Sequence, residues 1–260
     1  MLETLGLDQK LSKEEYASRM ERLNPRLNLL QRQTTDAKMP VVLVFEGWEA
    51  SGKGTCINQL VEWLDPRRFR VYPIFAPTPD EQHYPWMSRF WQKIPSSREW
   101  AIFDRSWYRR VLVERVDRLV HEAVWQAAFN EINAFERQLC DGGYVVMKFW
   151  LHITKKEQLK RFEKLEEDEY SRWAVTDEDR RENSEYAQYV AAIEDMLVKT
   201  STYHAPWTIV EAMNRRFRQA KVSQTIVETL EWKLRERSPD VYAAYVETTK
   251  LIDEAAEKKA

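Results

Sequence analysis

Residues 41–55 read VVLVFEGWEASGKGT, a short apolar run that breaks into a glycine-bounded turn and then resumes in a helical pattern. Val41 to Phe45 are β-branched or large and apolar, the composition of a strand buried on both faces, as at the centre of a parallel sheet. Gly47, Gly52 and Lys53 then fit the phosphate-loop spacing of glycine, four residues, glycine and lysine, in the strand-to-helix setting that the motif requires. Physical chemistry explains the letters. Glycines let backbone N–H groups converge on phosphate oxygens, the helix that starts near Lys53 points its positive end at the same anion, and the ammonium adds a mobile charge. Gly47, Ala50, Ser51, Gly52, Lys53, Gly54 and Thr55 are therefore the candidate phosphate contacts.

One position departs from the usual loop. A hydroxyl residue directly after the lysine ordinarily holds Mg2+, but Gly54 stands there and the hydroxyl comes one residue late, at Thr55. Metal binding then falls to two acids, Glu49 inside the loop and Asp104 at the end of a second apolar run, AIFD. A carboxylate at the carboxyl end of a strand beside the phosphate loop is where a metal-linked acid belongs in such a sheet. A helix cap is the other reading of Asp104. Arg105 arrives with it, as a phosphate ligand or as half of a structural ion pair.

The chain has 260 residues, 43% of them hydrophobic, enough for one large α/β domain with helical attachments. Its formal charge of -2 combines 40 basic with 42 acidic residues, which argues against a broad electropositive face and hence against a nucleic-acid partner. Cys56 and Cys140 are too few for a disulfide framework and read as small buried residues in a reducing compartment. No apolar stretch approaches membrane-spanning length and the N-terminal residues lack a basic-apolar leader pattern, so a cytoplasmic protein without a membrane partner is expected.

Around the loop, one domain spanning 1–260 is the simplest organisation. An N-terminal helical segment, 1–36, opens with Ser12 and Glu15 as a capping box and is interrupted at Pro25. Strands follow at 69–75, 100–103, 144–153 and 207–212, which with 41–45 makes five, separated by helical patterns. Such alternation predicts an α/β fold with a parallel sheet. The run SWYRRVLVERVDR at 106–118 is dense in arginine on a helical period; Arg109, Arg110, Arg115 and Arg118 read singly as a solvated face, but as a cluster they suit a substrate with more negative charge than a nucleotide triphosphate. His152 lies inside a strand and reads as structural.

Residues 154–200 are highly charged and helical. A helix begins near Thr154, a turn covers Trp173 to Asp179, and a second helix runs from Tyr186 to Val198. The segment reads as a lid, with Lys160, Arg161, Arg172 and Arg181 as its cations. C-terminal helices occupy 213–260, as patterns over Arg215–Leu234 and Val241–Leu251 with a polar tail that frays or joins a subunit contact.

Several strings in order now resemble the polyphosphate kinase 2 family: FEGWEASGKG at 45–54, APTPDEQHY from 76, FDRSWYRRVLVERV at 103–116, KFWLHITKKEQLKRF at 148–162 and APWTIVEA at 205–212. The GW at 47–48 and RRVLVERV look most like the polyphosphate:AMP phosphotransferase branch. The resemblance implies a phosphate-loop kinase-like three-layer sandwich with a five-stranded parallel sheet and a helical lid. It also implies Mg2+-dependent phosphoryl transfer between inorganic polyphosphate and a nucleotide, AMP or ADP, in a homodimer or homotetramer. Lys53, Glu49, Asp104 and Arg105 match catalytic positions, and Arg161 and Arg181 match lid positions. The chain departs from the family at Glu49, where Asp is usual, at Thr55, where a glycine is, at Leu165, a frequent arginine, and at Asp179 to Asn183, where the family has D-W-R-N-R. An ATP-dependent kinase and a polyphosphate-binding domain with weak or no catalysis are the alternative readings.

Overall fold

Residues 2–257 are described in a computed structural model of the chain. Strands β1 (Val41–Gly47), β2 (Phe69–Pro73), β3 (Trp100–Asp104), β4 (Val145–His152) and β5 (Trp207–Glu211) pair in the order β2-β3-β1-β4-β5, every neighbour parallel. The order follows the apolar content. β1, β3 and β4 are buried nearly throughout and take the three inner places, whereas β2 exposes Arg70 and Val71 at one edge and β5 is only partly covered at the other.

Among the described residues ten α-helices surround the sheet: α1 (Lys13–Asp36), α2 (Lys53–Val61), α3 (Ser88–Trp91), α4 (Val113–Val116), α5 (Glu122–Asp141), α6 (Lys155–Glu167), α7 (Asp177–Ser184), α8 (Tyr186–Thr200), α9 (Arg215–Arg237) and α10 (Pro239–Glu257). α1, α2, α9 and α10 pack together in one layer, and α5 and α8 pack together in the other. Ser12 caps α1 with Glu15 in the expected capping box, and Leu11 packs with Tyr16 and Met20 against Ala220.

The structure corrects the sequence reading at several places. α1 runs through Pro25 without a break. The proline costs about 3 kcal/mol in a helix interior, but Met20, Leu27 and Leu30, buried on either side of it, each contribute about 1.5–3 kcal/mol. Residues 106–118 are not one helix: a 3-10 turn (Trp107–Arg110) and the single turn α4 are separated at Leu112, with φ of -109° and ψ of -95°. Long-range burial decides this. Trp107 Nε1 and Tyr108 Oη both donate to Glu136 Oε1, at 3.0 and 2.7 Å, and Lys148 Nζ donates to Glu136 Oε2, to Tyr108 Oη and to the Thr200 carbonyl at 2.7, 2.8 and 2.7 Å. The turn expected over Trp173 to Asp179 is a 3-10 turn at Arg172–Ala174 followed by α7, which Thr176 and Asp179 start with their own capping box. α10 starts at Pro239 and is helical to Glu257, and 258–260 lie outside the described residues. Cys140 is half-buried where full burial was expected. Among the described residues no helix is long and apolar enough to cross a membrane.

Candidate active site

The loop leaving β1 is shaped by two glycines. Gly47 has φ of 149°, and a Cβ there would lie 2.5 Å from the Leu151 carbonyl of β4; Gly52 has φ of 98°, caps α2, and a Cβ there would strike the Arg218 guanidinium at 2.3 Å. Between them Ala50 also takes a left-handed φ of 55°. Lys53, the first residue of α2, is buried, and its ammonium donates to the carbonyls of Gly47 and Trp48 and to Glu49 Oε1 at 2.9, 3.1 and 3.3 Å. The charge expected to be mobile is thus tied beneath the loop. Ser51 is fully buried with its hydroxyl unpartnered. Thr55 donates to the Gly52 carbonyl at 2.8 Å, and the position of Gly54 has open space around it.

β3 brings the second set of groups alongside. Parallel register sets Asp104 beside Phe45, and the Arg105 N–H donates to the Phe45 carbonyl at 3.0 Å while φ of 59° turns the side chain toward the loop. Its guanidinium reaches Glu49 Oε1 through Nε at 3.1 Å and Nη2 at 2.7 Å. Burial by itself would raise the Glu49 carboxyl, but the charges and hydrogen bonds of Lys53 and Arg105 bring it down to about 2. Glu182 of α7 accepts the Glu49 N–H at 3.0 Å and the Gln158 side-chain amide at 2.6 Å. Burial, then the adjacent Glu49 charge, push Glu182 up to about 8. The two acids are thus pushed in opposite directions, Glu49 toward the charged form beside its cations and Glu182 toward the neutral one. A third acid, Glu46, is buried in β1, accepts from Ser106 Oγ at 2.8 Å, and is raised by burial to about 7.

Trp48 ties this loop to the segment between β4 and β5. It stacks on Tyr186 at 4.1 Å and its indole N–H donates to His152 Nδ1 at 3.1 Å. Burial takes His152 down to about 4, so the ring is the neutral acceptor this bond needs.

The candidate arginines are distributed differently from the sequence reading. Arg109 and Arg110 line a cavity of about 440 Å³ with Arg89, Tyr84, Trp86 and Phe90, and the Arg110 guanidinium lies 4.8 Å over the Trp86 ring. Arg115 is turned elsewhere, paired with Asp195 at 2.8 Å and stacked over Trp125 at 4.1 Å, because the break at Leu112 separates it from Arg109. Arg161 bridges the loop to the end of β5, donating to the carbonyls of Ala50, Ser51, Ala212 and Met213 at 3.0, 3.3, 3.0 and 3.0 Å. Arg181 pairs with Asp117 at 2.7 Å, and Arg172 is exposed in its 3-10 turn. The structure adds two groups the sequence reading passed over. Arg218, buried in α9, donates to Thr55 Oγ1 at 2.8 Å and the Ala212 carbonyl at 3.3 Å, with its Nε unpartnered; nothing in the run NRRFRQAK separates it from a solvated helix face. Glu182 was visible only as a departure from D-W-R-N-R.

For a metal, the donor set fits a phosphate-borne Mg2+ and not a protein cage. Among the described residues no group of three or more His, Cys, Asp or Glu could hold an ion. Mg2+ needs only one or two carboxylates when phosphate oxygens and water complete its octahedron. Half-buried Asp104 makes no side-chain hydrogen bond or ion pair among the described residues, and Glu49 faces the same loop. The arrangement can accordingly bind a phosphate chain on backbone donors, neutralise it with Lys53 and Arg105, and present acids to its metal.

The family model for polyphosphate kinase 2 matches residues 10–238. A polyphosphate:AMP phosphotransferase of Pseudomonas aeruginosa is 44% identical over 231 residues, 89% of this chain and 47% of that protein. An AMP/ADP-polyphosphate phosphotransferase of Meiothermus ruber is 35% identical and is matched over 80% of this chain and 79% of its own length. Among solved structures, a polyphosphate kinase 2 from Pseudomonas aeruginosa PA01 superposes with a TM-score of 0.87 at 44% identity, covering 90% of this chain and 50% of that one. The chain spans about half the length of the curated polyphosphate:AMP phosphotransferases it matches.

Proposed function

Because the chain belongs to the polyphosphate kinase 2 family, we propose that it transfers a phosphoryl group between inorganic polyphosphate and a nucleoside mono- or diphosphate, with AMP the preferred acceptor. The observation that carries this reading is the meeting of Lys53, Glu49, Asp104 and Arg105 where β1 and β3 end, next to the arginine-lined cavity. The phosphate chain lies on the N–H groups of Glu49 and of 52–55 at the start of α2, and the acceptor's phosphate meets Arg109 and Arg110 while its base packs among Tyr84, Trp86 and Phe90.

In the forward direction an acceptor phosphate oxygen attacks the terminal phosphorus, one P–O bond forms, the P–O bond to the rest of the chain breaks, and polyphosphate leaves one unit shorter. The attacking oxygen is already ionised, so no base is required. What the chain must supply is alignment and neutralisation of charge as it moves to the leaving oxygen, the work of Lys53, Arg105 and the loop donors. Asp104 and Glu49 would hold Mg2+, which supplies further neutralisation of the phosphate oxygens when bound. α6 to α8 form the lid that excludes water.

Incubation with polyphosphate, Mg2+ and single nucleotides, with products resolved chromatographically, tests the reading; folded protein giving no product from any common nucleotide refutes it. ATP-driven phosphorylation without polyphosphate use would select an ATP-dependent kinase, and polyphosphate binding without turnover a binding domain. The chain works in the cytoplasm as a homodimer or homotetramer, supported by exposed aromatics such as Tyr203, Tyr170 and Trp173. Light scattering that returns a monomer would remove the assembly claim.

A further inference from the structure

α7 turns one of its own carboxylates onto the phosphate loop. Glu182 Oε1 takes the Glu49 N–H at 3.0 Å, and it is aimed there by buried neighbours: Gln158 donates to it at 2.6 Å, and Asn183 braces Gln158 at 2.9 Å while donating to the Lys155 carbonyl at 3.1 Å. Backbone N–H groups of a glycine-bounded loop are the donors on which phosphate oxygens settle. Here one of them is taken by a lid oxygen, and the neighbouring cations Lys53 and Arg105 are taken by Glu49. One loop donor and both neighbouring cations are thus engaged from within the chain, and among the described residues the partner of that donor comes from the lid and not from the loop itself.

We propose that Glu182 is an internal competitor for the phosphate loop: polyphosphate binds as α7 withdraws this side chain from the Glu49 N–H, so the position of the lid sets the affinity for the donor. This rests on the polyphosphate reading above. A site open for only a fraction of the time binds more weakly by that fraction, and removing the competitor restores the difference. The side chain does not touch the reacting atoms; it acts through occupancy of the donor.

The test is calorimetric titration of tripolyphosphate, without Mg2+, into the parent, Glu182→Ala and Glu182→Gln, each checked for folding by circular dichroism. Glu182→Ala removes the competing oxygen and is expected to bind about 5- to 20-fold more tightly, while Glu182→Gln keeps an acceptor in place and stays within about 3-fold of the parent. Hydrogen exchange on the unaltered protein gives a second reading that no folding defect can spoil. Tripolyphosphate should speed exchange across 177–184, because α7 loses its hold on the loop. Binding in Glu182→Ala that is equal to or weaker than in the parent, or exchange across α7 that slows with ligand, overturns the competition. If the parent still binds tripolyphosphate and turns over nucleotide, the competition alone fails; if no variant binds or turns over, the polyphosphate reading fails and takes the inference with it.

Discussion

Glu49→Gln separates the electrostatic task of this residue from its shape. One oxygen, Oε1, receives Arg105 at 2.7 and 3.1 Å and Lys53 at 3.3 Å, and glutamine keeps an oxygen there while deleting the charge that balances two cations. Removing one partner of a fully buried ion pair costs about 3–5 kcal/mol. The Glu49 side chain keeps 20% of its surface and Arg105 29%, so solvent screening brings the cost to about 2–3 kcal/mol. Glu182 returns part of it, since losing the Glu49 charge removes one of the causes that push the Glu182 carboxyl up. The net of about 2 kcal/mol lowers the melting temperature by about 4–8 °C for a chain of this size. Saturating tripolyphosphate supplies the missing anion, so it should raise melting more in Glu49→Gln than in the parent, although turnover with Mg2+ falls about 100-fold. The assay is a pair of melting curves with and without ligand for each protein. A variant that melts with the parent and gains the same rise from ligand would refute the reasoning and leave Glu49 as a shape-filling residue.

Lys53→Ala and Asp104→Asn should each lower polyphosphate-dependent turnover by at least about 100-fold, in steady-state assays on folded protein, because both act where charge develops. Arg161→Ala uncovers four carbonyls at once and should cost about 2–4 kcal/mol in urea unfolding while raising KM for polyphosphate; Arg161→Lys restores little, as a point charge cannot span both chain segments. His152 is held neutral in the fold, so the folded state binds fewer protons: its stability contribution is complete above its ordinary value of 6.5 and is lost as pH falls through about 4. That drop corresponds to about 3 kcal/mol, and urea midpoints at neutral pH and at about pH 4.5 should converge in His152→Gln relative to the parent.

The parts of the fold legible in sequence are those encoded within one window. The apolar run before Gly47 and the spacing to Lys53 fixed a strand, a loop and a helix, and AIFD placed Asp104 and Arg105 beside them, because neighbouring residues alone decide such features. Arginine pattern misled at 106–118, where the backbone obeys Glu136 and Lys148, remote in sequence and fully buried. Thr176 and Asp179 spelled a helix start that the surrounding charge masked, and Pro25 gave a local stop that distant packing overrode. Arg218 and Glu182 reach the loop only because α9 and α7 cross it, and no local pattern encodes a crossing.

Lys148 also sets the anchor of the proposed lid. Its bond to the Thr200 carbonyl, with Trp207 Nε1 on Thr200 Oγ1 at 2.9 Å, bolts the last turn of α8 to the sheet. At the other end Thr154 caps α6 as it leaves β4, and the Tyr186 hydroxyl donates to the Ile153 carbonyl at 2.9 Å. As a lid, the segment between these anchors would be a lever fixed at both ends, with its expected stroke greatest near its middle, at the Arg172–Ala174 turn, and smallest at Thr200. A fluorophore pair joining Trp173 to the outer face of α5 would read the full swing, and one at Val198 would stay still.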